Sequence, residues 1–467
     1  MKKIALIIFV LSICFFIFSK ESKIQFNGVL ESTINLSHYK NNINHIPGGF
    51  NWGWSNQANL RFKTNIGDYL SFGFAININT LSGSLTNPYR LYYIQEALSN
   101  GTTVLNPNNI YGSFLSIPFY YKSTYVGSFE LERLYFKGGN DYFDIEAGLI
   151  RLARGYGFAF SPIDLFNPRD AFREGRPEGK LAVVGTFYPM DLWKIQTFVI
   201  APDNPIESRG WGFKFGAATI FSVKKLNFEF LYTLFTPEID YLKDPKELGL
   251  PPSTQNDFTH IAGFSMKADV EVGLFVDMIY RFEQRAFRDS KYYGKEFKGY
   301  EGLEAAIGVD YTLPGGKVYL LLEYMFYGSG MLDWWDGKLD NLYSDNQLAG
   351  FKKEDWANYS PIGRMGFLDA KKKQLNFLRH NYLFGLIRWK TNDYLNLSAN
   401  YMFGIDDQSG LLSLSLEVEP FQAFTINLTA MYPFDWYMLN TNWQPGEFGN
   451  VNLGFYQNYK VTVKVRF

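Results

Sequence analysis

Tyr459-Lys460-Val461-Thr462-Val463-Lys464-Val465-Arg466-Phe467 alternates without a break between apolar and polar side chains and ends on Phe. In an extended strand successive side chains point to opposite faces, so Val461, Val463, Val465 and Phe467 share one face. Lys460, Thr462, Lys464 and Arg466 share the other. One face is built for an apolar surround and the other for water.

The same two-sided pattern runs outward from this segment through the whole sequence. Leu60 and Phe62 alternate with Asn59, Arg61 and Lys63, Gly67-Asp68 supplies a tight turn, and Leu70, Phe72, Phe74, Ile76 and Ile78 return. Period-2 alternation predicts eighteen strands, near 23–36, 57–66, 69–79, 124–137, 142–150, 179–188, 192–201, 210–223, 225–235, 258–270, 273–284, 299–313, 317–327, 380–390, 394–403, 411–419, 422–432 and 452–467. Within Phe129-Glu130-Leu131-Glu132-Arg133-Leu134-Tyr135-Phe136 the alternation slips by one, which marks a β-bulge. Connections alternate short and long. Gly67-Asp68, Pro189-Met190-Asp191, Lys224, Glu271-Val272 and Pro314-Gly315-Gly316 are among the short ones, and 80–123, 151–178, 236–257, 328–379 and 433–451 are the long ones. Loops sorted by side distinguish a transmembrane up-and-down β-barrel from a soluble sandwich.

Composition agrees. Of 467 residues, 46% are hydrophobic, 18% aromatic and 19% charged, which excludes disorder. Forty-five Lys+Arg against 46 Asp+Glu leave a net charge of -1, which excludes a large phosphate footprint, so no nucleic-acid partner is expected. The polar strand faces carry Glu31, Arg61, Lys63, Asp144, Glu146, Asp277, Arg281, Glu283, Lys460, Lys464 and Arg466, too many charges for a dry core but suited to a water-lined lumen. Trp193, Trp211, Trp389, Tyr394 and Tyr432 near strand ends suit interfacial girdles.

Lys2 and Lys3 precede an apolar run from Ile4 to Phe18, the pattern of a secretory signal peptide over 1–19, with a single barrel domain over 20–467. The sole cysteine, Cys14, lies in that run, so the exported chain has no disulfide and no thiolate metal site.

The closing segment 459–467 resembles the last strand of bacterial outer-membrane barrels, whose terminal aromatic residue is recognised by the insertion machinery; Phe467 takes that role by resemblance. The stretch from Arg151 through Ser161-Pro162-Ile163-Asp164-Leu165-Phe166-Asn167-Pro168-Arg169-Asp170 resembles a segment of porin-like families, general porins and alginate-export-like barrels among them. That resemblance covers about 30 residues and implies a loop, 151–178, that folds into the barrel. Gly155, Gly157, Pro162 and Pro168 give it a defined, turn-rich path. Arg151, Arg154, Asp164, Arg169, Asp170, Arg173, Glu174 and Arg176 are the candidate pore constriction, where opposed charges filter solutes and favour anions mildly. A salt-bridged loop that only stabilises the barrel mouth is the competing expectation.

Enzyme signals are poor. His38, His45, His260 and His380 are scattered, and no nucleophile elbow or phosphate loop appears, so neither catalysis nor a cofactor nor a metal is expected. Asp333, Asp336, Asp340 and Asp345 near Trp334 and Trp335 read as a solvated acidic loop rather than a calcium site. The expected protein is an outer-membrane channel for small hydrophilic solutes, embedded in a bilayer with lipopolysaccharide or other outer-leaflet lipid. A substrate-specific transporter, for example of hydrophobic compounds, and a surface structural or adhesin barrel with a closed lumen are the alternatives. Monomer and homotrimer fit the sequence equally.

Overall fold

The structure, a computed structural model, describes residues 24–39, 49–67, 69–84, 115–122, 125–166, 179–202, 212–236, 259–282, 299–328, 380–406, 408–435 and 457–467. The expected signal peptide, Glu283, Trp211 and the acidic loop at 333–345 lie outside them.

In chain order the strands are β1 (Ile24–Tyr39), β2 (Gly49–Ile66), β3 (Leu70–Gly83), β4 (Leu115–Lys122), β5 (Tyr125–Gly139), β6 (Phe143–Ile150) and β7 (Lys180–Met190). Then come β8 (Trp193–Ile200), β9 (Lys214–Val223), β10 (Leu226–Phe235), β11 (Thr259–Asp269), β12 (Gly273–Phe282) and β13 (Leu303–Thr312). The last six are β14 (Val318–Tyr327), β15 (Asn381–Lys390), β16 (Leu395–Gly404), β17 (Ser409–Phe421), β18 (Phe424–Asp435) and β19 (Gln457–Arg466).

All nineteen belong to one antiparallel sheet, and β4 is accessory, leaving a closed ring of eighteen. The ring closes where β19 pairs with β1, with Thr462 opposite Thr33 and Lys464 opposite Glu31. Closure is obligatory in hydrocarbon, because an open edge would leave a row of unpaired N–H and C=O groups costing several kcal/mol each. The accessory strand has no counterpart among the eighteen expected from alternation. It pairs with the Tyr125–Leu131 half of β5, beyond the point where β6 pairs with Leu134–Gly139. The slip at Glu132 is a bulge: Ala75 faces Arg133, Ile76 faces Leu131, and Glu132 is the extra residue.

Short turns gather at one end with the beginning of β1 and the end of β19. Outward positions are apolar and exposed, among them Phe26, Leu30, Ile34, Trp52, Trp54, Phe136, Phe230, Ile307 and Ile387. A closed barrel with this exterior crosses a bilayer with its strands. Trp193, Trp389 and Tyr394 stand exposed near the short-turn end, at the level of an interfacial girdle.

The seam has its own packing device. Phe467 closes the ladder through two backbone bonds to Gly28, of 2.8 and 3.1 Å. Its ring lies against the bare Cα of Gly28, where an added Cβ would sit 2.5 Å from the ring. Phe26 packs beside it with ring centroids 6.0 Å apart.

Candidate functional site

The inner surface of the barrel has two halves of different chemistry. From β6 round to β16 the inward side chains are largely apolar: Val184, Phe198, Ile200, Leu231, Ile261, Ile279, Phe275, Met325, Tyr382, Phe384 and Met402 are all buried. An apolar inner wall would be poorly wetted, and it is not left bare. Residues 151–166 leave the top of β6, turn inward and lie against it. Leu152, Ile163 and Phe166 join one buried cluster with β6–β12, and Ala159 and Phe160 join a second with β12–β16.

Polar bonds fix the path of this segment. Six consecutive backbone amides, from Gly155 to Phe160, find acceptors on three inward carboxylates carried by alternate strands. Glu229 on β10 accepts from Gly155 at 3.2 Å. Asp277 on β12 accepts from Tyr156 at 3.1 Å and from Gly157 at 2.9 Å, and from the hydroxyls of Ser161 at 2.8 Å and of Ser265. Glu323 on β14 accepts from Phe158, from Ala159 at 2.5 Å and from Phe160 at 3.3 Å. Carboxylates accepting backbone N–H bonds in a dry setting are charge-assisted and strong. Gly155 has φ +73, and a Cβ there would strike Asp277, Ile163 and Ser161, so only glycine takes this position.

Arg154 anchors the near end. Its Nη1 lies 2.9 Å from Glu229 and donates also to Gln196 at 3.1 Å, and the guanidinium stacks 5.1 Å from the centre of the Phe198 ring. Both partners of the ion pair are buried, with side-chain exposures of 2% and 5%. Arg151 is exposed and Asp164 is buried. Arg169, Asp170, Arg173, Glu174 and Arg176 lie outside the described residues. Toward the lumen the segment presents Ala153, Tyr156 and Phe158, the last 38% exposed and stacked on Phe384. Burial, with the Glu229 and Asp277 carboxylates nearby, pushes the Tyr156 phenol up to about 12, so it remains a neutral hydroxyl.

The other half, β17–β19 with β1–β5, turns Thr, Asn, Ser and charged side chains inward. Arg61 sits 3.5 Å from Glu132, and Lys464 sits 3.6 Å from Glu31. Asn59 bonds Glu132 and, at 2.5 Å, Asn77. Thr33 meets Thr462 at 2.9 Å across the seam. Lys63 and Arg466 are exposed, and Lys460 half-buried. Asp144 and Glu146 share the inward face of β6, where Asp144 accepts from Tyr188 at 2.7 Å and Lys137 approaches to 3.1 Å. Of the expected lumen-lining residues in the apolar half, Asp277 is fully buried beneath the segment rather than facing water, and Arg281, partly exposed, pairs with buried Glu304 at 2.8 Å. The composition of the covered wall is the reason, since a dry segment lies over it. Among the described residues no group of three His, Cys, Asp or Glu is placed to hold a metal ion.

No family model matches the chain, and no curated protein matches it. Among solved structures it is similar to the outer membrane protein OpdK of Pseudomonas aeruginosa, at 9% identity over 95% of this chain and 98% of that chain, with a TM-score of 0.48. It is similar also to OprD of Pseudomonas aeruginosa, at 6% identity over 95% and 93%, with a TM-score of 0.47. A BenF-like porin of Pseudomonas fluorescens Pf-5 matches at 9% identity over 95% and 98%, with a TM-score of 0.46.

Proposed function

We propose that the chain is an outer-membrane channel through which small hydrophilic solutes diffuse passively, with a mild preference for anions. The observation that carries this reading is the division of the inner surface. The apolar half is occupied by residues 151–166, while the half from β17 through β5 turns hydroxyls, amides and charges of both signs toward the axis, with Lys63, Lys460 and Arg466 in addition to the cations paired with Glu31 and Glu132. A solute would pass between the segment, with Tyr156 and Phe158 on its lumen side, and Arg61, Lys63, Lys460 and Lys464 opposite. Basic side chains lining a wet, narrow passage raise the local concentration of anions.

The inner apolar surface is packed against the chain's own loop, which counts against a path for hydrophobic compounds. Phe467 completes the seam and supplies the terminal aromatic residue that insertion machinery would read before closure. The exported chain would sit in the outer membrane without its first 19 residues, facing outer-leaflet lipid.

The test is reconstitution of the purified chain into planar bilayers. Discrete conductance steps are expected, with a reversal potential in a salt gradient displaced toward anions. A flat trace at every voltage would refute the channel and favour a closed surface barrel.

A further inference from the structure

The three carboxylates that hold the internal segment are not equally equipped. Glu229 faces the Arg154 guanidinium, and Asp277 receives two hydroxyl donors besides its amides. Glu323 receives only the backbone amides of Phe158, Ala159 and Phe160, and among the described residues no Lys or Arg reaches ion-pair distance of it. The register places Gly308 and Phe384 on either side of it, so neither neighbouring strand brings a cation level with it. The other titratable groups facing this region are Asp277 on β12, Glu304 and Asp310 on β13, Tyr319 and Tyr327 on β14, Arg388 on β15 and Tyr156 of the segment. Arg388 is level with Tyr319, two inward positions away, and Arg281 is already paired with Glu304.

We infer that Glu323 is the positioning residue of the internal segment: as a carboxylate it holds Phe158–Phe160 flat against β14, and when protonated it lets them swing into the lumen. The inference rests on the channel reading and adds its regulation. An ionised carboxylate only accepts hydrogen bonds, which suits three converging N–H groups. Its acid form turns one oxygen into an O–H donor that opposes them, so at least one buried amide loses its acceptor. The stretch Phe158–Phe160 is then held only by its apolar contacts, Phe158 on Phe384 and Ala159 and Phe160 in their cluster, while Glu229 and Asp277 keep 155–157 in place. Because the segment lies on the wall, release moves it toward the axis and narrows the passage.

Glu323→Gln imitates the acid form, since it replaces one acceptor oxygen with a donor. At pH about 7.5 the wild-type channel is expected to stay open, and its closed-time fraction to rise roughly tenfold as pH falls to about 4.5, the ratio set by one lost buried hydrogen bond. Glu323→Gln should show the acid behaviour already at neutral pH and respond no further over that interval. Identical gating and pH profiles in the two proteins would overturn the inference. The wild-type chain supplies a second measurement that needs neither a folded variant nor a conducting one. Hydrogen–deuterium exchange over 155–160, corrected for intrinsic rates, should lose protection at the acid end while β14 keeps its own. Protection of 158–160 that is unchanged with pH would equally overturn it. A silent wild-type bilayer with pH-dependent exchange would refute the channel reading and leave the role of Glu323 standing.

Discussion

The two halves of the barrel solve the same problem in opposite ways. The β6–β16 half points apolar side chains inward as well as outward and relies on residues 151–166 to keep the inner ones dry. The β17–β5 half keeps a largely polar interior, with Leu411 and Met431 among its few apolar inward residues, and none of the described residues covers it. Removing an ionic partner should therefore mean different things on the two sides. In the covered half a charge left alone is left in a dry place. In the open half the partner left behind keeps a second cation, an amide donor or water.

The Arg154–Glu229 pair and the Arg61–Glu132 pair put this contrast to a direct test. Arg154 is 2% exposed, so Arg154→Ala strands Glu229 in a dry cluster and should destabilise the folded barrel by about 3–5 kcal/mol. Glu132 is as buried as Glu229, but when the 43% exposed Arg61 is removed it keeps Arg133 at 3.9 Å and the Asn59 amide, so Arg61→Ala should cost under about 1 kcal/mol. Urea unfolding in detergent micelles, read by tryptophan fluorescence and by the gel shift of the folded barrel, measures both. Equal losses at the two sites would erase the distinction between the halves.

The open half also carries the β1–β19 seam, and among the described residues no internal loop braces it, so it leans on the Gly28–Phe467 contact. An added methyl at Gly28 meets the Phe467 ring at 2.5 Å and forces it aside. Gly28→Ala should cost about 1–3 kcal/mol, the range of overpacking. Gly385, another outward strand glycine, has nothing within 4 Å of the place an added methyl would take and serves as the control, where alanine should be nearly neutral. Phe467→Ala in the Gly28→Ala background should recover part of the loss. Refolding from urea into lipid vesicles follows all three without any insertion machinery.

Much of this fold is legible in the sequence because a barrel strand carries its answer locally: period-2 alternation names both faces, and a slip at Glu132 names the bulge. The accessory β4 is not legible, since Pro118 and the run Phe119-Tyr120-Tyr121 break the alternation by which strands are found. The internal segment is marked by its arginines, glycines and prolines, but its carboxylate partners lie 74, 120 and 165 residues away in sequence. A signal for them does exist. Strands β10, β12 and β14 carry apolar side chains on both faces, β14 almost without interruption and β10 and β12 with Asn227, Thr233 and Arg281 besides, and each carries a lone carboxylate at mid-strand: Glu229, Asp277 and Glu323. Strands buried on both faces read as continuous apolar runs, and a single acid within one implies a partner inside the barrel.

The smallest expected effect concerns the ions that pass. A unit charge about 10 Å from a permeating ion is worth about 0.4 kcal/mol in water, a factor of about two in relative permeability. Arg61→Ala with Lys63→Ala should therefore move the reversal potential in a salt gradient toward cations by a few-fold in permeability ratio. Near 1 M salt, where the screening length is about 3 Å, the shift should vanish. Arg281, paired with Glu304 in the covered half, should leave selectivity unmoved when replaced by Met together with Glu304→Leu. A shift from the Arg281 and Glu304 pair, or none from Arg61 and Lys63, would place the ion path along the wrong wall and undo the division of the lumen.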